Sequence, residues 1–345
     1  MNRVHIFRSL LLASAMVVSM LAASSCKDGL IFDGEGDCGV YYRIRLKYDY
    51  NIKFADAFAN EVNSVALYIF DKSGTLVEEV TTTDKQALSS GTFEIPVVLE
   101  PGKYTLLAWG GLMNEESFDM LADTKVGETR IEELKVMMHR QHNANGEATV
   151  SEDLLQLFHG TKTIVVTDVP GTYTETMSLM KNTNSVRILL HELSGNDMDA
   201  DKFIFEIHDS NGLYDWNNTL LEDEDITYSA WYQTTGSAEM EEYATRTVTE
   251  VSVALAELTI GRMRANMSPI LHIKSRETGE DVFRIPLADY ALLVKGYYRE
   301  SMSDQEYLDR QDEYTMTFFL DEGEWASSVI YINSWRIVLN DSGLN

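Results

Sequence analysis

The chain is 345 residues long and strongly acidic, with 55 Asp and Glu against 28 Lys and Arg and a formal charge of −27. A field of that sign excludes nucleic acid and anionic membrane faces as partners. With 44% apolar and 10% aromatic residues, the chain is too apolar for a disordered acidic tail and can bury sizeable cores.

In chain order, the first element reads as an export signal. Arg3, His5 and Arg8 precede an apolar run from Leu10 to Ala23, and Ser24 and Ser25 lie directly before Cys26. The run is shorter than the ~20 residues a membrane-spanning helix needs. Small residues ahead of a cysteine predict cleavage between Ser25 and Cys26 and acylation (palmitate-type) of Cys26, although Ala23 stands where the strict form of the box prefers Leu. Several acyl chains on one cysteine make a stable anchor, whereas one chain binds weakly. The competing reading is an ordinary secretory signal cut near Ala23, with Cys26 left to pair with Cys38, the only other cysteine. Loss of residues 1–25 removes two basic residues and no acidic ones, so the mature chain carries about −29.

Residues 26–39 mix glycine with acid and predict a flexible linker. Asp33, Glu35 and Asp37 alternate there, but no bidentate Glu falls in the register of a calcium loop. From Val40 the pattern alternates strictly. Tyr42, Ile44, Leu46, Tyr48 and Tyr50 share one face and Arg43, Arg45, Lys47 and Asp49 the other, as in a half-buried strand. Phe54, Ala57, Phe58 and Val62 predict a short helix. Val65–Phe70 and Thr75–Val80 predict a hairpin across the Asp71–Gly74 turn, and 93–99 and 103–109 predict two more strands around Pro101 and Gly102. Residues 112–158 lose the alternation and read as an excursion ending in a helix capped at Ser151, with Leu154, Leu155 and Phe158 inward. Strands resume at 163–167 and 172–180. A second series follows at 185–191, 203–207, 247–255, 270–274, 282–285, 314–320 and 329–339, with Arg276–Gly279 as a hairpin loop. The predicted fold is all-β with minor helices: two tandem antiparallel β-sandwich domains, 40–182 and 183–345, joined near Lys181–Asn184.

No motif for catalysis stands out: G-x-S-x-G, P-loop and H-E-x-x-H are absent from the sequence, and no G-x-G-x-x-G follows a predicted strand. His139 and His142 have the i, i+3 spacing of a helical metal pair, yet no third ligand follows, and surface histidines are the better reading. Asp197, Asp199 and Asp201 lack the Gly and Glu of an EF-hand loop. Glu222–Asp225 pairs carboxylates as glycoside hydrolysis does, but at this acid density such pairs arise by chance. We therefore expect no enzyme activity, no metal and no cofactor. Among the tryptophans, Trp109 and Trp335 fall in apolar strands and read as core. Trp216 and Trp231 lie in a region rich in Asn, Tyr and Thr and are the candidates for ligand contact, since tryptophan faces stack on sugars.

The stretch DCGVYYRIRLKYDYNIKFADAFANEVNSVALYIFDKSGTLV (37–77), followed by LEPGKYTLLAWGG (99–111), resembles the amino-terminal domain of the fimbrillin-related anchoring subunits of Bacteroides-type fimbriae. DLLQLFHG (153–160), IPLADY (285–290), QEYLDRQDEYTMTFFL (305–320) and INSWRIV (332–338) extend the resemblance over nearly the whole mature chain. It implies transthyretin-like sandwiches at the base of a fimbria, surface-exposed, with Cys26 as the lipid attachment point in the outer membrane. It also implies a fimbrial shaft subunit as partner, held by β-strand addition. Host protein or glycan is a further expected contact. The alternative function is a surface glycan-binding lipoprotein.

Overall fold

The computed structural model describes residues 39–114, 116–242, 247–267, 269–298, 301–326 and 329–338. Five strands open the fold: β1 (Val40–Lys47), β2 (Val65–Phe70), β3 (Leu76–Thr82), β4 (Ile95–Val97) and β5 (Gly102–Gly110). The excursion supplies β6 (Phe118–Met120), β7 (Val136–Met138), β8 (Gln141–His142) and β9 (Ala148–Val150), and β10 (Phe158–Val166), β11 (Gly171–Ser178) and β12 (Met180–Lys181) follow. Strands β11-β1-β4 form one sheet and β12-β10-β5-β2-β3 the sheet stacked on it. As its alternation requires, β1 sends Tyr42, Ile44 and Leu46 inward. They meet Leu67 and Ile69 of β2, Leu106 and Ala108 of β5, and Ile164 and Val166 of β10. Each such burial contributes roughly 1.5–3 kcal/mol.

The second half comprises β13 (Thr183–Glu192), β14 (Phe203–Asp209), β15 (Leu213–Tyr214), β16 (Ile226–Ser229), β17 (Tyr232–Glu242), β18 (Thr247–Gly261), β19 (Ile270–Ser275), β20 (Asp281–Pro286), β21 (Glu313–Asp321), β22 (Glu324–Trp325), β23 (Val329–Ile332) and β24 (Trp335–Val338). One sheet runs β17-β18-β13-β21-β23-β24, with β22 beside β21, and the facing one runs β20-β19-β14-β16-β9-β8. The excursion therefore builds into the second half: β9 pairs in parallel with β16, and β15 pairs with β7. Most pairings are antiparallel, but β1–β11 and β13–β21 are parallel over eight residues each. A parallel pair needs a long connection, so local pattern does not announce it.

All six residues of β2 are buried. The reason is that its sheet is covered on both sides. Ala66, Tyr68, Phe70, Leu107 and Trp109 turn away from β1 and join Phe118, Leu134 and Val136 of the excursion. That core continues without a break into Val186, Ile188, Phe205 and Tyr228 of the second half.

Three expectations need correction. The segment after Ser151 is not helical. Leu155 N–H donates to Ser117 Oγ at 2.9 Å and the Leu157 carbonyl accepts from Asn182 N–H at 2.7 Å, so its backbone is committed to other elements while Leu154, Leu157 and Phe158 are buried. The stretch expected as one strand over 329–339 is a hairpin over its described residues, 329–338. Asn333 and Ser334 take φ of 46° and 70°, the two-residue turn that matches strand twist. Asn333 also ties the turn to β21, accepting from Thr315 N–H at 2.7 Å and donating to the Glu313 carbonyl at 3.2 Å. Finally, Trp335, expected in a core, is 62% exposed because the hairpin places it on the edge strand.

Candidate functional site

Ser25 and Cys26, with Cys38 and the acids Asp33, Glu35 and Asp37, lie outside the described residues. Among the described residues no helix is long and apolar enough to cross a membrane. His139 follows β7 and His142 lies on β8, so they do not share a helix face. His139 Nε2 sits 2.5 Å from Asp119 and His142 Nε2 3.1 Å from Glu224. Asp223 is held by Arg140 at 2.8 Å, which removes it from any free carboxylate pair. Asp199 caps a short 3-10 turn by accepting from Asp201 N–H at 3.1 Å. Among the described residues no group of three His, Cys, Asp or Glu is arranged to hold a metal ion.

The tryptophans separate by environment. Trp109 is fully buried, 4.6 Å from the ring of His159. Trp216 is half-buried against the core, and its carbonyl accepts from His159 Nε2 at 2.9 Å. Burial, with a smaller push from Arg262, depresses the His159 pKa to about 4, so this contact is made by a neutral imidazole. Trp231 is 38% exposed and stands beside Tyr232 at 6.0 Å.

Trp231 forms the lip of a trough on the open face of the β18-β13-β21 sheet. Strand register sets its floor as two cross-strand rows: Thr259, Ser185 and Glu313, then Glu257, Arg187 and Thr315. Arg187 is paired with Glu257 through its Nε at 2.8 Å, and Thr259 donates to Asp153 at 2.5 Å. The cavity under Trp231 holds about 290 Å³. A second cavity of about 340 Å³ shares Asp153, Ser185 and Thr259 with it and runs on to Lys181, Glu61 and Asn63. Together they make one groove that ends where the two halves meet.

That meeting point is a buried polar junction. Lys181 Nζ lies 2.7 Å from Asp312 and 3.1 Å from Glu61, and burial, which alone would lower its pKa, is outweighed by the two carboxylates, which raise it. Asn182 and Asn218 exchange amide hydrogen bonds at 2.7 and 3.0 Å, and Arg262 clasps Asp309 at 2.7 and 2.8 Å. Arg310 stacks on Tyr50 at 3.9 Å, while its carbonyl accepts from Ile52 N–H at 2.8 Å.

The sheet edges differ in what they offer an added strand. The edge β4 carries Pro96, which has no N–H to give. The edge β11 presents Thr172, Thr174 and Thr176 outward. On the edge β24, Trp335 and Ile337 share a face, Trp335 exposed and Ile337 resting on the core. Sequence reading named neither the groove nor this edge. The turn pair Asn-Ser before Trp335 was the signal available, since Asn tolerates positive φ.

Residues 35–341 match the sequence profile of the fimbrillin-A associated anchor proteins Mfa1 and Mfa2. The minor fimbrium anchoring subunit Mfa2 of Porphyromonas gingivalis is 22% identical over 297 residues, spanning 84% of this chain and 83% of that one. Its solved structure, the fimbrial anchor protein of that organism, superimposes with a TM-score of 0.62 over 87% of this chain and 99% of its own, which shows a shared fold. A candidate adhesin from Bacteroides thetaiotaomicron is 33% identical, with a TM-score of 0.76 over 89% of this chain and all of its own. A candidate polysaccharide-binding protein from the same organism is 28% identical, with a TM-score of 0.74 over 88% and 99%.

Proposed function

The chain belongs to the family of fimbrillin-A associated anchor proteins, and on that premise we propose that it holds the base of a fimbria to the outer membrane through a lipidated Cys26. The family is a structural one, and its role is fimbrial anchoring or adhesion. The profile match over 35–341 carries this reading. The division into sandwiches 40–182 and 183–345 belongs to the proposal, with the excursion of the first docked on the second. The shaft subunit adds its strand beside β24, where the exposed Trp335 and neighbouring Ile337 give its side chains an apolar row and the edge gives its backbone hydrogen-bond partners.

Cells lacking the protein should release fimbriae or carry them at abnormal length. Fimbriae that stay attached and normal would end the anchoring role. Cys26→Ala should move the protein from the outer-membrane fraction to the medium. For the edge, Ile337→Arg should lower capture of shaft subunits while leaving the protein membrane-bound.

A second reading, contact with a host glycan or protein, is favoured by Trp231, exposed at the lip of a polar groove and away from the β24 edge. The resemblance to a candidate polysaccharide-binding protein supports the glycan form of it.

A further inference from the structure

We propose that the groove running from Trp231 to Lys181 is a binding site for a linear, neutral polysaccharide. This rests on the second reading above and adds the place and the ligand class.

Strands β18, β13 and β21 are interior strands, each paired on both sides. Their main-chain hydrogen bonds are already made, so no peptide strand can be added here. Only side chains can recognise a ligand, and they are mostly hydrogen-bonding: Ser185, Thr259, Thr315, Glu313 and Asp153. Such a lining suits a molecule dense in hydroxyl groups.

Charge narrows the class. The groove's cations are Arg187 and Lys181, and both are already paired, Arg187 with Glu257 and Lys181 with Glu61 and Asp312. Asp153 and Glu313 add further negative charge along the floor. A sulfated or uronic-acid polymer would meet carboxylates with no free cation, and the overall charge of −27 repels it at longer range.

Shape selects a chain over a single sugar. Two cavities of about 290 and 340 Å³ lie end to end and share three residues, so the site is long and open along its length. Trp231 supplies at one end the flat aromatic face on which the C–H face of a sugar ring stacks, while the polar rows satisfy its hydroxyls. This division between an apolar platform and a few placed polar groups is the usual build of a small-molecule site.

The experiment is affinity electrophoresis of the full mature protein through gels containing dextran, mannan, xylan or galactan, with heparin as the polyanion comparison. At least one neutral polysaccharide should retard the protein, and heparin should not. Trp231→Ala should weaken that binding on the order of tenfold, equivalent to one stacking contact. Trp231→Phe should retain part of it. Ser185→Trp, which fills the neck shared by the two cavities, should abolish it. Thermal melts of each variant separate lost binding from lost folding, and since Trp231 and Ser185 are exposed, both variants should melt like the parent. If neither a neutral polysaccharide nor heparin retards the parent, the glycan reading itself is wrong. If one does and Trp231→Ala and Ser185→Trp bind it as well as the parent, the glycan reading stands and the groove is not the site. Retention by heparin alone overturns the ligand class.

Discussion

Replacing Lys181 with Met should destabilise the protein by about 2–3 kcal/mol. The change removes the cation between Asp312 and Glu61, which approach Nζ at 2.7 and 3.1 Å, and leaves two carboxylates and the Tyr48 hydroxyl, 3.5 Å from Asp312, without it. Losing one member of a buried pair typically costs 3–5 kcal/mol, because the other charge stays behind desolvated. Here the Lys181 side chain is 7% exposed but its partners are 19% and 30% exposed, so water screens them and the cost falls to or just below the bottom of that range. A lysine with a raised folded pKa contributes stability that is complete below its unfolded value and lost only as the pH climbs through the folded one, so neutral pH tests the full effect. Guanidinium unfolding of the mature chain at pH 7.5 measures it. A cycle with Asp312→Asn isolates the pair, and the double variant should be less destabilised than the sum of the singles by about 1–2 kcal/mol. A loss below about 0.5 kcal/mol for Lys181→Met, or strict additivity, would show that the junction is solvated and not a seal.

Asp209 is buried, and burial pushes its carboxyl up to about 6 against 3.8 when unfolded. Its folded pKa is raised, so its ionisation weakens the fold as the pH rises through that range. Asp209→Asn should therefore gain up to about 3 kcal/mol at pH 7.5 and nothing near pH 4, by melts at the two pH values. His159 works in the opposite direction. Its folded pKa of about 4 lies below the 6.5 of a free histidine, so it drains stability as the pH falls from 6.5 towards 4, and His159→Gln should flatten that limb. Gly111 has φ of +85° and a Cβ there would run into the Gln156 carbonyl. Gly111→Ala should cost at least about 2 kcal/mol, read by denaturant midpoint, and a neutral result would mean that the 151–157 segment yields freely. Asn333→Gly keeps the positive φ but drops the hydrogen bonds to Thr315 and Glu313. It should loosen the β23–β24 hairpin by about 1 kcal/mol, seen as faster amide exchange there.

The strands whose side chains face one core from one side were legible. Alternation in β1 placed Tyr42, Ile44 and Leu46 on the buried face, and the Arg276–Gly279 turn fell where β19 returns as β20. Where a strand is covered on both faces, period-two patterning vanishes. In β2 all six side chains are apolar and buried, and nothing local says that the second cover is an excursion some 50 residues on. Leu154 and Phe158 mimicked a helix face because they are buried, but the segment's backbone partners, Ser117 and Asn182, are far away in sequence. The groove was invisible for the same reason. Its rows join Thr259, Ser185 and Glu313, which only sheet register brings together. Trp231 was singled out on composition around it, whereas Trp335 was hidden by a two-residue turn read as continuous strand.

A base that holds a polymer is pulled at both ends, and the pairing geometry bears on how it resists. If, as proposed, the chain is tethered through Cys26 and takes its shaft subunit beside β24, load would reach the fold at β1, the first described strand. That strand is locked in parallel to β11 over eight residues and also against β4, so axial force shears the whole ladder at once instead of opening it one bond at a time. From there the load crosses the Tyr42–Leu46 core to the sheet of β2 and β5. On that sheet's far face, Tyr68, Phe70 and Trp109 share one continuous core with Val186 and Ile188 of β13. A flexible linker between two independent sandwiches would let one half unfold while the other held. A shared core sealed by Lys181, Asn182 and Arg262 makes separation of the halves expose apolar surface and strand buried polar groups together, which ties the strength of the junction to that of the sandwiches themselves.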